Sequence, residues 1–282
     1  MESIGVWTLP LVTSLLGFAS IFVPYFVAVH NGHVPAVLPF ISDSGCFPPE
    51  KCIFSLLFNL TAFFLAISIY LRHRQILEFY GSQLRRRWKR ASFNLMLIGV
   101  LGAFTISAVA SFSATENMLF HLISAVAIFQ LINIYIWGQV FLSFKLVPSI
   151  SAPVHNWTRF TLALLSTLSF FLLEIAFYTK LFLPKGYEIP PIPSPYAPEF
   201  YERDSPYWLR HTVLAASEWS MVIFYFLFIL SMSVDLRDTY VRAPRVYFKN
   251  TAFEPDVVED SEGVQRLVDG VEGNAATAAL PD

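Results

Sequence analysis

The sequence predicts an all-α fold: a bundle of six transmembrane helices with both termini in the cytosol and a disordered acidic C-terminal tail. Three observations predict it. Hydrophobic residues make up 55% of the 282 residues and charged residues only 14%, whereas a soluble domain usually carries about 25% charged residues. Six apolar runs are long enough for the ~20 residues that a bilayer requires. Lys and Arg are concentrated on one side of these runs.

The six apolar runs give the predicted helices in chain order. The first run is too long for the apolar core of a signal peptide and has no basic start, so we expect a retained first helix. The predicted helices cover residues 6–29, 53–71, 93–112, 118–144, 160–183 and 211–234. We therefore assign residues 1–250 to a six-helix membrane domain. Residues 251–282 carry eight acidic residues against one Arg, a composition typical of a disordered tail.

The positions of Lys and Arg predict the orientation in the membrane, because these residues are enriched in cytosolic loops. Thirteen of them lie between the second and third runs, between the fourth and fifth, or between the sixth run and the tail. Five lie on the opposite side. Both termini should therefore be cytosolic, and the loop between the first two runs luminal or extracellular.

That first loop, PFISDSGCFPPEKC at residues 39–52, contains both cysteines of the chain, Cys46 and Cys52. On the predicted luminal side they can form a disulfide, since thiols pair outside the cytosol. The alternative is two unpaired cysteines, with Cys52 facing lipid at the start of the second helix. Glu50 follows two prolines at a helix start, where a carboxylate stabilises the helix dipole. Asp43 is therefore the better candidate for binding a ligand in this loop.

Polar residues inside the predicted helices form a candidate site within the membrane. A charged side chain at mid-membrane costs ~2.5–3.5 kcal/mol on insertion scales, so these residues are unusual there. With a rise of 1.5 Å per residue, three of them fall within roughly 9–14 Å of the luminal surface. The set comprises Asn59, Glu174 and Glu218, together with His121 near the luminal start of the fourth helix. It predicts either a polar cavity for a lipid head group, an ion or a proton, or structural hydrogen bonds between helices.

A basic cluster, RRRWKR at residues 85–90, precedes the third predicted helix. Clusters of this kind attract anionic lipids such as phosphoinositides, by about 1 kcal/mol per residue. Topology alone is the alternative reason for the charge. The candidate lipid-contacting residues are Arg85, Arg86, Arg87, Lys89 and Arg90.

The third run also has a small residue at every fourth position: Gly99, Ala103, Ser107 and Ser111. Small residues at this spacing allow two helices to approach closely in a membrane. They predict close packing, either inside the bundle or at a dimer face.

The sequence contains none of the HExxH, G-x-S-x-G, Walker or G-x-G-x-x-G motifs, which carry metal, nucleophile or nucleotide chemistry in enzymes. We therefore expect a non-enzymatic protein without a cofactor or metal. A net charge of −2 gives no basic field for nucleic acid. The expected partners are membrane lipids and a cytosolic protein at the basic cluster or the tail.

Motifs in the first loop and the sixth helix resemble those of the damage-regulated autophagy modulator (DRAM) family, within the wider group that includes the transmembrane protein 150 branch. Glu218-Trp219-Ser220-Met221 is the match in the sixth helix. The loop residues that carry the resemblance are Ile41, Ser42, Asp43, Pro48, Pro49, Glu50 and Cys52.

The resemblance implies a non-enzymatic, multi-pass protein of lysosomal, endosomal or plasma membranes. DRAM-like members are linked to autophagy, so we expect a modulator of autophagy and lysosomal function in lysosomal or endosomal membranes. The 150 branch is linked to phosphatidylinositol 4-kinase recruitment, so a plasma-membrane scaffold that docks this kinase is the first alternative. An ion channel or lipid-translocating protein that uses the polar residues of the helices is the second.

Overall fold

The computed structural model describes residues 5–81, 84–146 and 150–241. In this part of the chain a short 3-10 helix, Ile41–Gly45, accompanies long α helices. Six of them are long and apolar enough to cross a bilayer, which confirms the predicted all-α fold with six spanning helices. They are α1 (Thr8–His30), α2 (Glu50–Tyr80), α3 (Arg86–Ser111), α4 (Ala114–Lys145), α5 (Pro153–Tyr178) and α6 (Trp208–Asp235). The predicted tail, residues 251–282, lies outside the described residues.

Several helices extend beyond their apolar runs, because backbone hydrogen bonding continues into polar end turns. The second helix was predicted to end at residue 71, but α2 continues to Tyr80. Arg72 and Arg74 therefore lie within α2 rather than in a loop. The helix α3 begins at Arg86, so the basic cluster forms its first turn. The helix α5 begins at Pro153, a first-turn position where the missing N–H of proline has no cost.

The six helices form a closed ring in chain order. Each helix packs against the next one along the chain, and α1 packs against α6. Gly17 of α1 allows this closure, because a Cβ at that position would overlap the Phe226 ring of α6. The ring encloses an apolar core that includes Tyr135, Met221 and Phe228, all fully buried.

The small residues of α3 pack inside the ring against α2 and α4. A Cβ at Gly99 would lie 2.8 Å from the Tyr135 ring of α4 and 2.9 Å from Ile69 Cδ1 of α2. Ser107 Oγ donates a hydrogen bond to Asn59 Oδ1, and Ser111 Oγ accepts one from Asn59 Nδ2 at 3.3 Å. Of the two interpretations of this spacing, close packing inside the bundle accounts for these contacts.

The ring has two chemically different ends. The loop end carries residues 31–49 and 179–207, which connect α1 to α2 and α5 to α6. The opposite, terminal end carries an isolated β-bridge between Gly5 and Tyr240. The basic cluster lies at the terminal end, at the start of α3. By the charge rule used above, the terminal end is the predicted cytosolic one.

Candidate functional site: a cavity at the loop end

The 3-10 helix of the first loop is held against α6 by the two motif residues Glu218 and Trp219. The indole Nε1–H of Trp219 donates to the Pro39 carbonyl oxygen at 2.8 Å, and the Ile41 N–H donates to Glu218 Oε2 at 2.9 Å. The Ile41 side chain is buried in an apolar cluster with Phe54 and Trp219. The two family motifs identified from the sequence therefore contact each other directly.

Asp43 joins the first loop to the proline-rich loop between α5 and α6. Its carboxylate accepts the Phe40 N–H at 3.2 Å and the Tyr196 hydroxyl at 2.5 Å. The residue is only 1% exposed. Burial raises the pKa of Asp43 to about 7, and the nearby Glu199 carboxylate adds to the rise. Burial and the Asp43 carboxylate also raise the pKa of the Tyr196 hydroxyl.

Glu50 has a structural role at the start of α2. Its carboxylate is fully buried. Asn31 Nδ2 donates to Glu50 Oε2 at 3.1 Å, and His33 Nδ1 makes a close polar contact with Glu50 Oε1. These contacts fix the segment after α1 to the first turn of α2. The Glu50 carboxylate is therefore occupied by contacts within the protein.

Both cysteines are free thiols in the structure, which is the second of the two alternatives considered from the sequence. Cys46 is buried and Cys52 is exposed on α2. The Cys46 thiol donates to the Ser42 carbonyl oxygen at 3.7 Å. Burial raises the pKa of Cys46 to about 12, and the neighbouring Asp43 adds to the rise. The two side chains face different environments, one inside the loop and one outside the bundle.

A cavity of about 510 Å³, called here the loop-end cavity, lies beneath the proline-rich loop and between α4, α5 and α6. A narrower space of about 100 Å³, called here the apolar pocket, extends among α2, α3, α4 and α6. The two spaces share five lining residues: Ser42, His121, Ala125, Phe129 and Glu218. They therefore meet at the depth of Glu218.

Polar and aromatic side chains line the loop-end cavity. Arg210 donates from Nε and Nη2 to the carbonyl oxygens of Ala176 and Phe177, at 3.0 and 2.9 Å, and so caps the end of α5. His121 donates from Nδ1 to the Phe112 carbonyl oxygen at 2.7 Å. The buried Nε2 of His211 has no hydrogen-bond partner among the residues that the structure describes.

The structure brings together two of the four predicted intramembrane polar residues. Glu218 and His121 line both spaces, whereas Asn59 and Glu174 line neither. Asn59 bonds to serines of α2 and α3. Glu174 is half-buried on α5 and has no hydrogen-bond or ion-pair partner in the described part of the chain. Depth along a helix does not fix which side of the helix a residue occupies, so residues at a similar depth need not line one space.

A buried ion network at the terminal end was missed by the sequence analysis. Arg72 of α2 and Arg159 of α5 each lie 2.7 Å from Asp235 Oδ2 of α6. Arg159 also donates from Nη2 to the Ser231 carbonyl oxygen at 2.7 Å. From the sequence, both arginines were predicted to be loop charges that indicate the topology. One sequence signal could have indicated this network. Asp235 follows the terminal end of the sixth run, and Arg72 and Arg159 lie next to the terminal ends of two other runs.

The basic cluster at the start of α3 is exposed. Its five Lys and Arg side chains face outward, and Trp88 is half-buried. The Arg87 guanidinium lies 5.1 Å from the centre of the Trp88 ring. Positive charge at a helix N-terminus opposes the helix dipole, so helix stability does not account for this cluster.

These features define a multi-pass membrane protein with six spanning helices and a semi-polar cavity at one end. The chain belongs to the Frag1/DRAM/Sfk1 family, because the family model described as the Frag1/DRAM/Sfk1/Cwh43P N-terminal domain matches residues 5–239. This match confirms the resemblance seen in the loop and α6 motifs.

Curated relatives carry names that refer to autophagy. DNA damage-regulated autophagy modulator protein 2 of Mus musculus is 28% identical to this chain, over 84% of this chain and 86% of its own length. Modulator of macroautophagy TMEM150B of Mus musculus is 32% identical over 57% of this chain and 66% of its own length. DNA damage-regulated autophagy modulator protein 1 of Homo sapiens is 32% identical over 46% and 54%. No solved structure matches this chain.

Proposed function

We propose that this protein modulates autophagy in lysosomal or endosomal membranes, and that it acts by binding lipids and partner proteins rather than by catalysis. The observation that carries the proposal is the similarity, along 84% of the chain, to a protein named as an autophagy modulator. The geometry of the loop end supports a binding role. The buried carboxylates of Asp43 and Glu50 and the half-buried carboxyl group of Glu218 accept hydrogen bonds that hold the loops around the cavity in place.

The proposal is tested by returning a tagged copy to cells that lack the protein. The turnover of a lipid-linked autophagosome marker is measured with and without a lysosomal inhibitor, and the location of the tag is recorded. We expect the wild-type copy to reside on lysosomes or endosomes and to restore turnover. The Asp43→Ala variant, which loses the contact between the two loops, should restore less than the matched variant Asp204→Ala at an exposed position. Residence at the cell surface alone, with unchanged turnover, contradicts the proposal.

A plasma-membrane scaffold that docks a phosphatidylinositol 4-kinase is the second candidate function. The exposed basic cluster of α3 favours it, because such a surface attracts anionic lipids and acidic protein segments. In this case the protein resides at the cell surface, and its expression brings the kinase there. Replacing the five basic residues of the cluster with Gln should abolish that recruitment. If the kinase has the same cellular distribution with and without this replacement, the scaffold function is contradicted.

A channel or lipid-translocating role is supported by the loop-end cavity. Reconstituted protein should then pass ions or lipids across liposome membranes, and Glu218→Gln should change the rate while Glu174→Gln does not. Liposomes with folded protein and no passage contradict this role.

A further inference from the structure

We propose that the loop-end cavity and the apolar pocket together bind one amphiphile that has a single alkyl chain and an ammonium-bearing head group. The proposal concerns the ligand of this site and does not depend on the role in autophagy. Two sources share the chemistry: a zwitterionic lysophospholipid such as lysophosphatidylcholine, and a cationic sphingoid base.

The wall of the loop-end cavity suits an ammonium group because it is rich in aromatic rings. The His211 ring lies 5.1 Å from the Phe40 ring and 5.3 Å from the Tyr201 ring, and the Tyr201 and Tyr207 ring centres are 5.9 Å apart. Tyr196 is also part of the lining. Faces of aromatic rings attract ammonium groups, and the attraction grows when water is excluded.

Charge in the loop-end cavity also favours a cation. The carboxylates of Glu199 and Glu218 belong to the lining. Arg210 is the one permanently charged basic side chain among the described lining residues. Two of its N–H groups are already used by the carbonyl oxygens that end α5. Glu199 therefore supplies a carboxylate that an ammonium group can pair with, and the carboxyl oxygens of Glu218 can accept hydrogen bonds from the head group.

The shape of the apolar pocket suits one alkyl chain. The pocket starts at Glu218 and reaches Ile229 of α6, which at 1.5 Å per residue is a depth of roughly 16 Å. Its deeper lining is aliphatic and aromatic: Phe54, Phe58, Leu65, Ile106, Ile128 and Ile132. The small volume of the pocket, about 100 Å³, leaves no room for two chains. The polar head then lies above Glu218 and the chain below it.

The unpartnered Nε2 of His211 is a further sign of an occupant. Buried polar atoms in folded proteins nearly always have a hydrogen-bond partner. His211 lines the loop-end cavity, and its Nε2 has none within residues 5–81, 84–146 and 150–241. A hydroxyl, phosphate or ammonium group of the ligand can supply that partner.

The cavity borders the bilayer on its α4 and α5 side. Met118 and Leu122 of α4 and Leu173 of α5 line it. The neighbouring side chains of Leu119 and Leu172 are exposed apolar groups, at 70% and 41% exposure. An amphiphile in the surrounding membrane is therefore separated from the cavity only by apolar side chains of these two helices.

The first test compares head groups on single chains of similar length. Purified full-length protein in nanodiscs is titrated with lysophosphatidylcholine, a sphingoid base and lysophosphatidic acid, and the bound ligand is counted by native mass spectrometry. We expect the ammonium-bearing ligands to bind at least about tenfold more tightly than lysophosphatidic acid. If lysophosphatidylcholine binds more tightly of the two, the ligand is a zwitterionic lysophospholipid. If the sphingoid base binds more tightly, the ligand is a cationic amphiphile. Equal or tighter binding of lysophosphatidic acid overturns the proposal.

The second test uses paired variants. Glu218→Gln replaces the carboxyl group by an amide that cannot ionise but keeps an oxygen to accept the Ile41 N–H, so the loop stays in place. It should weaken binding of the ammonium-bearing ligands by about tenfold, while Glu174→Gln outside the cavity leaves binding unchanged. Ala125→Phe, at the junction of the two spaces, should weaken binding of the ammonium-bearing ligands because it blocks the way for the chain, and Ala127→Phe on the same helix should not. Identical affinities of the two glutamine variants for the ammonium-bearing ligands contradict the site. If Ala125→Phe does not fold, the comparison of head groups on the wild-type protein decides the question.

Discussion

Asp43 is the residue through which the two loops of the loop end meet. Its carboxylate accepts one hydrogen bond from the first loop, at Phe40, and one from the proline-rich loop, at Tyr196. Because almost none of the residue is exposed, its ionised form is poorly solvated. The pKa of Asp43 rises from 3.8 to about 7. The carboxyl group that joins the two loops therefore gains or loses its charge near neutral pH.

This shift predicts a stability that falls with rising pH. The pKa of Asp43 is higher in the folded than in the unfolded protein, so the folded state binds more protons between these two values. The stabilisation is full below the unfolded pKa of 3.8 and is lost as the pH rises through about 7. The slope from this residue is at most about 1.4 kcal/mol per pH unit. Asp43→Asn, which stays neutral, should give a shallower fall in the melting temperature between pH 5 and 8, measured in detergent.

Asp204→Asn is the matched control, because Asp204 lies on the same loop end and is exposed. It should keep the wild-type slope. Asn at position 43 leaves the Phe40 N–H with a poorer acceptor, which lowers stability equally at every pH. Parallel curves for wild type and Asp43→Asn would show that another group sets the pH dependence.

At the scale of helices, the terminal end is held by a single carboxylate shared between two arginines. Arg72, Arg159 and Asp235 come from α2, α5 and α6 and are 3%, 2% and 4% exposed. Gln75 adds a link, since its Nε2 donates to the Asp235 carbonyl oxygen at 2.5 Å. The network connects helices on different sides of the ring, so it opposes separation of α2 from the α5–α6 pair.

Removing the shared carboxylate should destabilise the bundle strongly. Asp235→Asn leaves two buried guanidinium groups without a counter-ion, and breaking a buried pair in this way costs about 3–5 kcal/mol. The loss should appear as a lower midpoint of unfolding by denaturant in mixed micelles. Asp238→Asn, which removes an exposed pair with Arg237, should change the midpoint little. Similar midpoints for the two variants would show that the arginines find other partners.

Close helix packing gives a second prediction at this scale. Gly17→Val places a branched side chain against the Phe226 ring, where even a Cβ overlaps. Overpacking of this kind costs typically 1–3 kcal/mol, so the melting temperature should fall. Gly32→Val is a poor comparison because Gly32 has a positive φ of 73°. Ala19→Val, at a half-buried position on the same helix, is the better control and should have the smaller effect.

The helices were predictable from sequence because the free energy of membrane insertion depends on the length and composition of each run. The family motifs were likewise local, whereas the contact that they make between the first loop and Glu218 was seen only in the structure. The partners of Asn59 and the position of Glu174 outside the cavity were not predictable, because the faces that meet are set by side-chain shape between distant helices. The same limit concealed the pairing of Arg72 with Asp235, residues that are far apart in the chain and carry no local motif.

At the scale of the whole molecule, the two ends of the ring differ in charge. The terminal end exposes the basic cluster of α3, whereas the loop end encloses an acidic and aromatic cavity. Such an arrangement suits a bilayer whose two surfaces differ. Anionic lipids are expected at the terminal end and the proposed ammonium-bearing ligand at the loop end.

Neutralising the basic cluster should therefore reduce the retention of anionic lipids. Replacing Arg85, Arg86, Arg87, Lys89 and Arg90 with Gln should remove about 1 kcal/mol of attraction per residue, or about fivefold in affinity for each. Native mass spectrometry of detergent-purified protein with added phosphatidylinositol 4-phosphate measures the bound lipid. A Lys185→Gln, Arg203→Gln double variant at the loop end should retain the lipid as wild type does. Equal retention by both variants would place the lipid elsewhere.

The buried network also has a consequence for biosynthesis. Asp235 lies in the last helix, so the ribosome makes it after both Arg72 and Arg159. Before α6 is made, the carboxylate that these two arginines share is absent. An incomplete chain therefore differs from the finished protein by two uncompensated positive charges within its helices. We therefore expect the ring to close only after the last helix is complete.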